Sequence, residues 1–440
     1  MRTTRGALLW AGLLAAIASA AEARPPFGAD YNDLSAFALG TVALNVVLVE
    51  SNGAIDPNQE DWSAEQLAEV QTQIGMAVDF WEGQTASYHP NARLRFHVDY
   101  VNGGVPLEIG YEPINRPGAL SSVTAWAHEA LSQVYYDGYP VESIETLNEV
   151  GRLVHDTNWA VTLLVVNDQV DEDNRFTNGQ FAFAGVGGPY IVTTYGNDGW
   201  GIDRFHRVLA HELGHTFFAL DEYEESGMRN TARSGYLDGV NGNAERNGAG
   251  QVIPAPQPNA LMLDNTLELS PFTKVQVGHV DSDGDGIPDI LDSPPVLKDT
   301  EVQSDADAGW FRFRALAEVT AIPNLNTYNL TLTNSGNPLT INWIDGAEYR
   351  VDLGDWMPFT AADGAFGDYT EGLDVLVGAL GRGEHRLDFR AKNSVDLYSD
   401  VRSYLFTSNL PEPSSACLAA IAAAGWFFVR RKAVLRCRNH

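Results

Sequence analysis

The chain has 440 residues, of which 44% are hydrophobic, and 58 acidic against 28 basic residues give it a net charge of -30 at pH 7. This charge excludes nucleic acid and anionic membrane surfaces as partners, because both repel an acidic protein. The length predicts two domains with cores of their own, and since Cys417 and Cys437 both lie near the C-terminus, the folded body has no disulfide.

The N-terminus has the order of a secretory signal peptide. Arg2 and Arg5 precede a short apolar segment at residues 7–20, and small residues just after it offer a cleavage site. The apolar segment is too short to span a membrane comfortably, which disfavours a permanent anchor. Residues 1–23 are therefore predicted to direct export and to be removed by signal peptidase.

A regular alternation of strand-like and helix-like segments follows the signal. The helical segments carry an apolar stripe, and the first of them begins with Ser63 and Gln66 in the arrangement of a capping box. This order predicts an α+β domain built on a twisted mixed sheet with helices packed on it. The predicted strands are residues 41–50, 93–101, 159–166 and the last strands within 181–195, and the predicted helices are 63–81, 121–136 and 143–155.

The segment RFHRVLAHELGHTFFALDEY holds the motif that the rest of this domain surrounds. His211 and His215 are four positions apart, so in a helix their imidazoles point at one ion, and Glu212 can take a proton from a water that the ion activates. Asp221, ten positions after His211, is placed to be the third ligand, with Glu222 as the alternative. A buried helix whose two histidines are satisfied by hydrogen bonds is the other interpretation of this motif.

The HExxH pattern with a carboxylate ten residues after its first histidine resembles that of metzincin-type zinc metallopeptidases. Within that clan, the run ending at Tyr223 is most similar to secreted bacterial enzymes related to the IgA-cleaving metallopeptidase family. The resemblance implies a metzincin-like zinc peptidase domain at residues 24–280, with catalytic Zn²⁺ and a protein or peptide substrate. It also implies a methionine turn beneath the zinc, for which Met262 is the candidate, with plain core packing as the alternative. Phe218 stands where the metzincin pattern has a glycine.

In metzincin-like enzymes the strand just before the active helix borders the cleft, so the resemblance gives residues 187–195 a role in substrate binding. An extended peptide would add to the free edge of this strand through backbone hydrogen bonds along Tyr190, Ile191 and Val192. Pro189 fits an edge or a strand start, because it cannot donate to a neighbouring strand. An ordinary hairpin is the alternative.

A second motif is DSDGDGIPDILD, residues 281–292. Its carboxylates recur at alternate positions, and Gly286 permits the sharp turn of a calcium loop. It resembles a thrombospondin type 3-like calcium repeat, and a solvated acidic linker is the alternative. Residues 281–300 are therefore predicted to be a linker that structural Ca²⁺ stiffens, and His279 is close enough in sequence to approach a metal. The expected calcium ligands are Asp281, Asp283, Asp285, Ile287, Asp289 and Asp292.

Residues 301–408 contain short strand-like runs separated by Gly, Asn and Asp, a pattern typical of an all-β sandwich. Segments 349–352 and 383–391 resemble parts of the immunoglobulin-like accessory domains of secreted bacterial enzymes. Binding of a substrate or surface and a passive spacer role are both open for this domain. The predicted strands are residues 310–315, 328–333, 339–344, 348–353, 375–377 and 385–391.

Residues 409–440 have the order of a sorting tail, in which Pro411, Glu412 and Pro413 precede an apolar run and a basic cluster. This order resembles the PEP-CTERM signal of Gram-negative bacteria. The resemblance implies transient membrane association, cleavage by an exosortase, and a final location outside the cell or on its surface. A simple C-terminal membrane anchor is the alternative.

Two functions are consistent with these motifs. The first is a secreted zinc-dependent endopeptidase in which Glu212 is the general base. The second is a calcium-dependent cell-surface or matrix binding protein whose peptidase-like domain is inactive. A glutamate at a distance from the histidines, such as Glu245, would instead indicate a gluzincin.

Overall fold

The computed structural model describes residues 25–31, 33–118, 125–134, 140–257, 259–328 and 334–410. The predicted signal peptide and nearly all of the predicted sorting tail lie outside these residues. The described chain is a mixed α+β protein that divides into two compact units. The N-terminal unit comprises Met1–Ser293 and Ala321–Asn342, and the C-terminal unit comprises Pro294–Thr320 and Trp343–His440. Among the described helices, none is long and apolar enough to cross a membrane.

A six-stranded sheet forms the centre of the N-terminal unit, in the order β2-β1-β4-β6-β5 with β3 also paired to β1. All pairings are parallel except that of β5, which runs antiparallel to β6. Every residue of β4 is buried, as its continuous apolar run predicts. The strands are β1 (Thr41–Ser51), β2 (Arg95–Tyr100), β3 (Leu107–Ile109), β4 (Trp159–Val166), β5 (Ala182–Ala184) and β6 (Tyr190–Thr194).

Helices pack on this sheet, and the first of them has the capping box expected from sequence. Ser63 accepts from the backbone of Gln66, whose side chain accepts in turn from the backbone of Ser63. Four short strands after residue 216 pair as two two-stranded sheets: β7 (Arg233–Ser234) with β8 (Gly239–Val240), and β9 (Glu245–Arg246) with β10 (Val252–Ile253). The helices are α1 (Ala64–Gln84), α2 (Ala125–Val134), α3 (Pro140–His155), α4 (Phe205–Thr216), α5 (Leu261–Asp264) and α6 (Pro271–Gln276).

The prediction that Tyr190, Ile191 and Val192 form an edge strand is wrong. These residues lie in β6, which pairs with β4 on one side and with β5 on the other. The chain at residues 182–184 folds back against β6, so β5 takes the edge position instead. Ile191 and Val192 are accordingly fully buried.

Residues 321–342 depart from the predicted domain division, since they leave the sandwich and return to the N-terminal unit. The buried Tyr236 holds this segment, because its hydroxyl donates to the carbonyl of Ile322 at 2.8 Å and accepts from the amide of Leu339 at 2.7 Å. Asp33 accepts a further hydrogen bond from the hydroxyl of Ser335 at 2.6 Å. Of the predicted strand at 339–344, only Ile344 belongs to a sandwich strand, and Thr340 forms an isolated bridge with Phe27 instead. The predicted strand at 328–333 lies outside the described residues except for Tyr328.

The C-terminal unit is a β-sandwich of two antiparallel sheets that begins at β11, before residue 301. The sheets have the orders β11-β12-β15 and β14-β13-β16-β17. Phe313 of the first sheet stacks on Phe389 of the second with ring centroids 4.1 Å apart, so aromatic rings fill the space between them. The strands are β11 (Val296–Asp305), β12 (Trp310–Glu318), β13 (Ile344–Val351), β14 (Met357–Phe359), β15 (Thr370–Val377), β16 (Gly383–Asn393) and β17 (Arg402–Ser408).

Candidate metal centre

Helix α4 carries the two histidines and is buried along almost its whole length. Its apolar residues Val208, Leu209 and Leu213 lie in the core, and of its twelve residues only Arg207 is not buried. The indole nitrogen of Trp81, in α1, donates to the carbonyl of Ala210 at 2.9 Å. The helix is therefore held in place by core packing and by this hydrogen bond.

Three ligand atoms converge at the C-terminal half of this helix. His211 Nε2 lies 3.1 Å and His215 Nε2 lies 3.3 Å from Asp221 Oδ1, and the two nitrogens are 3.2 Å apart. The three side chains form a group whose geometry could hold a metal ion. Two imidazole nitrogens and one carboxylate oxygen are a donor set that zinc accepts.

The backbone fixes which nitrogen of each imidazole faces the site. His211 Nδ1 donates to the carbonyl of Leu261 and His215 Nδ1 donates to the carbonyl of Ala219, each at 2.9 Å. Because Nδ1 is bonded to a carbonyl in both rings, Nε2 is the atom of each ring that faces Asp221, and it could bind an ion once it has released its proton. This is the arrangement in which metal-binding histidines are usually held by their surroundings.

The charges of the site favour a cation. Burial opposes the charge of His215, but its hydrogen bond with Asp221 and the charges of Asp221 and Glu212 raise its pKa to about 9. Burial acts against ionisation of Asp221 as well, yet the hydrogen bonds from both histidines hold the pKa of this carboxyl well below its usual range. The two carboxylates therefore stabilise a proton on His215, which a metal ion bound at Nε2 would displace.

Glu212 is buried beside the ligands. Its Oε2 has no hydrogen-bond partner among the described residues, and the backbone of Ala184, in β5, bonds its carboxylate. Burial raises the pKa of this carboxyl. Glu212 is thus a buried base with one free oxygen, placed between the ligands and the edge strand.

Met262 packs against α4, which both a methionine turn and plain core packing would produce. It is fully buried in α5, and a Cβ on Gly214 would stand only 2.9 Å from its sulfur atom. Glycine at position 214 is therefore needed for this close approach. The backbone of α5 also contacts the loop that carries Asp221, because the amide of Glu222 donates to the carbonyl of Met262 at 2.8 Å.

Of the two alternatives for a third ligand, Asp221 faces the histidines and Glu222 does not. The carboxylate of Glu222 instead accepts hydrogen bonds from the hydroxyls of Ser270 and Thr273. Glu245 is also distant from the cluster, since its carboxylate accepts from the amide of Asn230.

Sequence reasoning missed the two residues that hold the backbone of Asp221. Its carbonyl accepts from Asn241 Nδ2 at 2.7 Å and from Asn243 Nδ2 at 3.2 Å, and both amides are buried. The Asn-Gly-Asn triplet at 241–243 resembles an ordinary turn, so nothing in the sequence alone sets it apart. Tyr223 was also overlooked, and its ring centroid lies 6.4 Å from that of His211.

Phe218, just after α4, adopts a backbone conformation that favours glycine. Its φ is 71°, in the left-handed region that a side chain rarely enters. The ring is fully buried against Gly187, where an added Cβ would stand 2.3 Å from it. The amide of Gly187 in turn donates to the carbonyl of His215 at 2.8 Å, so this contact joins the loop before β6 to the active helix.

The acidic loop brings only part of its predicted ligand set together. Carboxylate oxygens of Asp281, Asp283 and Asp285 lie within 4.8 Å of one another. Asp289 is engaged elsewhere, since it accepts from the amide and hydroxyl of Ser282 at 2.7 and 2.6 Å. Burial and then the charges of the other four aspartates raise the pKa of Asp292, while the carbonyl of Ile287 stays a predicted ligand.

His279 does not approach either group of ligands. Its Nε2 donates to the carbonyl of Ala38 at 2.8 Å, and its ring lies edge-on to Trp81 and Tyr88. Burial lowers the pKa of this imidazole to about 4. The expectation that His279 could approach a metal is therefore wrong, and the residue belongs to the core.

No family model matches the chain, and no curated protein matches it. Among solved structures, a human fibronectin type III domain is similar at 18% identity over 31% of this chain and 99% of that domain, with a TM-score of 0.17. β-Glucosidase 3B from Thermotoga neapolitana is similar at 11% identity over 86% of this chain and 52% of that chain, with a TM-score of 0.13. TM-scores this low give no information on the fold, so the fold of each unit is assigned from its strand order alone.

Proposed function

We propose that the protein is a secreted, metzincin-like zinc endopeptidase. The observation that carries the proposal is the convergence of His211 Nε2, His215 Nε2 and Asp221 Oδ1 within 3.3 Å of one another. In the alternative, the histidines are satisfied by hydrogen bonds alone, from Nδ1 to the two carbonyls and from Nε2 to Asp221, and metal analysis distinguishes the two. Glu212 adds the general base that hydrolysis needs.

Each residue of the site has a distinct role in this proposal. His211, His215 and Asp221 hold the ion, which when bound supplies a polarised scissile carbonyl and a water of lowered pKa. Glu212 takes a proton from the attacking water and delivers it to the leaving amine. Its free oxygen and buried position support this role.

The substrate is a protein or peptide that we place along β5. Among the described residues β5 pairs on one side only, with β6, so its other edge can accept an extended chain. The bond between the backbone of Ala184 and Glu212 supports this placement, because it sets the base beside that edge. A peptide added there would pass close to the ligands.

Export, calcium binding and sorting complete the proposal. The order of the N-terminal segment supports removal by signal peptidase, and that of the C-terminal tail supports cleavage by an exosortase of a Gram-negative bacterium. Structural Ca²⁺ would be held by Asp281, Asp283 and Asp285, whose carboxylates converge. The protein would then act outside the cell or on its surface.

Metal analysis combined with casein digestion tests the enzymatic proposal. Wild type and Glu212→Gln are both expected to bind about one zinc per chain, since Glu212 is not a ligand, while hydrolysis by the variant falls by about 10²–10⁴-fold. Equal hydrolysis by the two proteins would exclude Glu212 as the base. Zinc binding without hydrolysis by wild type would favour the inactive, calcium-dependent binding protein.

A further inference from the structure

Glu222 directly follows the third ligand and has no side chain atom exposed to solvent. Its Oε1 accepts a hydrogen bond from the hydroxyl of Ser270 and another, 3.0 Å long, from the hydroxyl of Thr273. Its Oε2 has no hydrogen-bond partner among the described residues. A buried carboxyl bonded through only one oxygen is costly, so stability alone does not explain its presence.

The backbone of Glu222 joins three segments that meet around the site. Its amide donates to the carbonyl of Met262 at 2.8 Å, and its carbonyl accepts from the amide of Ala244 at 3.1 Å. Met262 belongs to α5, the same short helix whose Leu261 carbonyl orients His211. Glu222 therefore contacts both the loop that carries the third ligand and the helix that orients the first.

The side chain of Glu222 extends this connection to a fourth segment. Ser270 is the N-cap of α6, where its hydroxyl accepts from the amide of Thr273 at 3.0 Å while it donates to Glu222. The position of Glu222 is thus fixed by side chain and backbone together. Because Asp221 is its immediate neighbour, a shift of Glu222 would move the third ligand atom.

We propose that Glu222 is the positioning residue of the metal centre, holding Asp221 and α5 in the register at which the three ligand atoms converge. The inference rests on the proposed zinc function. Glu222 acts through Asp221 and through the Leu261 carbonyl, and it does not touch the ion or the substrate. Its loss should therefore weaken zinc binding and slow turnover while leaving peptide affinity unchanged.

The experiment compares full-length wild type with Glu222→Ala and Glu222→Gln by chelator competition for zinc, by kcat and KM, and by the visible absorption of the cobalt-substituted proteins. Glu222→Ala is expected to lose about 10–100-fold in zinc affinity, to lower kcat at constant KM and to change the cobalt spectrum. Glu222→Gln keeps an oxygen that accepts from Ser270 and Thr273, so it should recover most of the affinity.

Two controls separate positioning from general destabilisation. Glu112 is another buried glutamate, whose Oε2 accepts from the amides of Gln59 and Glu60, so Glu112→Ala should lower thermal stability without changing zinc affinity. Thr273→Val removes one hydrogen bond to Glu222 and leaves Glu222 itself unchanged. This variant replaces Glu222→Ala in the experiment if Glu222→Ala does not fold. It should weaken zinc binding by less than Glu222→Ala.

A zinc affinity of Glu222→Ala or Thr273→Val equal to that of wild type, with an unchanged cobalt spectrum, would overturn the positioning role. Glu222→Gln as impaired as Glu222→Ala would overturn it as well, because the oxygen acceptor would then be irrelevant. These results leave the proposed function intact as long as wild type binds zinc and Glu212→Gln is inactive. Failure of wild type to bind zinc would instead remove the proposed function itself.

Discussion

His211 Nδ1 donates to the carbonyl oxygen of Leu261 at 2.9 Å, although 50 positions separate the two residues in the chain. The bond fixes the rotation of the imidazole, so the orientation of the first ligand depends on where α5 lies. Met262 helps to set that position, because its sulfur packs against Gly214 in the last turn of α4. The packing of Met262 against α4 and the orientation of the His211 imidazole therefore depend on each other.

Replacement of Met262 should affect stability and metal binding together. Met262→Ala leaves a cavity below α4 and is expected to lower the free energy of unfolding by about 2–5 kcal/mol. Met262→Leu nearly conserves volume and should cost less than about 1.5 kcal/mol. Urea denaturation gives both values, and zinc competition should show weaker binding for Met262→Ala. Met76, which is 43% exposed, provides the control, since Met76→Ala should change neither quantity appreciably.

At position 218, a glycine variant should be more stable than an alanine variant, which is the reverse of the usual order. Both Phe218→Ala and Phe218→Gly lose the buried ring, at about 3–5 kcal/mol. Only glycine relieves the left-handed backbone, where φ is 71°, so Phe218→Gly should be more stable than Phe218→Ala by about 1 kcal/mol. Denaturation midpoints at equal m-values measure the difference. A more stable alanine variant would show that the backbone relaxes once the ring is removed.

The convergence of the two histidines and the aspartate could be predicted from sequence because it is local. His211 and His215 share a helix face by their spacing, and Asp221 follows in the next turn of chain, so short-range geometry brings all three together. Glu222 remained the alternative third ligand because its contacts are not local. Its partners Ser270 and Thr273 lie about fifty positions away, and sequence spacing carries no information on such contacts.

The errors in the fold have the same origin. Strand β6 was taken for an edge because the resemblance places the strand before the HExxH helix at the cleft, and the sequence does not show that the three residues of β5 pair with it. Residues 321–342 were assigned to the sandwich because short polar and β-branched runs there resemble strands. Their actual partners, Tyr236 and Asp33, belong to distant parts of the chain. Non-local hydrogen bonding decided both cases.

Removal of one charge from the acidic loop should not lower the stability of the protein without calcium. With calcium, the same change should make the protein less stable than wild type. Without calcium, Asp283→Asn is expected to be at least as stable as wild type, since it relieves repulsion among three carboxylates within 4.8 Å. With calcium at about 100 times its dissociation constant, wild type should gain about 2.7 kcal/mol and the variant less. Thermal unfolding of the N-terminal unit with and without calcium measures this.

The matched control is Asp363→Asn, because Asp363 belongs to an acidic group in the C-terminal unit with Asp368 and Glu371. It should leave the calcium response of the N-terminal unit unchanged. If wild type and Asp283→Asn respond equally to calcium, the loop at 281–292 is a solvated linker and not a calcium site.

Glu112 should make the stability of the N-terminal unit depend on pH. Burial, opposed by hydrogen bonds from the amides of Gln59 and Glu60 and assisted by the charges of Glu60 and Asp56, raises the pKa of its carboxyl to about 7. The folded state therefore holds a proton that the unfolded state, with a carboxyl pKa near 4.5, has released. This contribution is complete below about pH 4.5 and is lost as the pH rises through 7.

Glu112→Gln removes the titrating group and keeps an oxygen that can accept from the two amides. The variant should match wild type near pH 4.5 and exceed its stability at pH 8 by about 1–2 kcal/mol, a value reduced for the screening by water close to surface loops. Urea denaturation at the two pH values gives the difference. Equal stability at pH 8 would mean that Glu112 ionises in the folded protein as readily as in the unfolded chain.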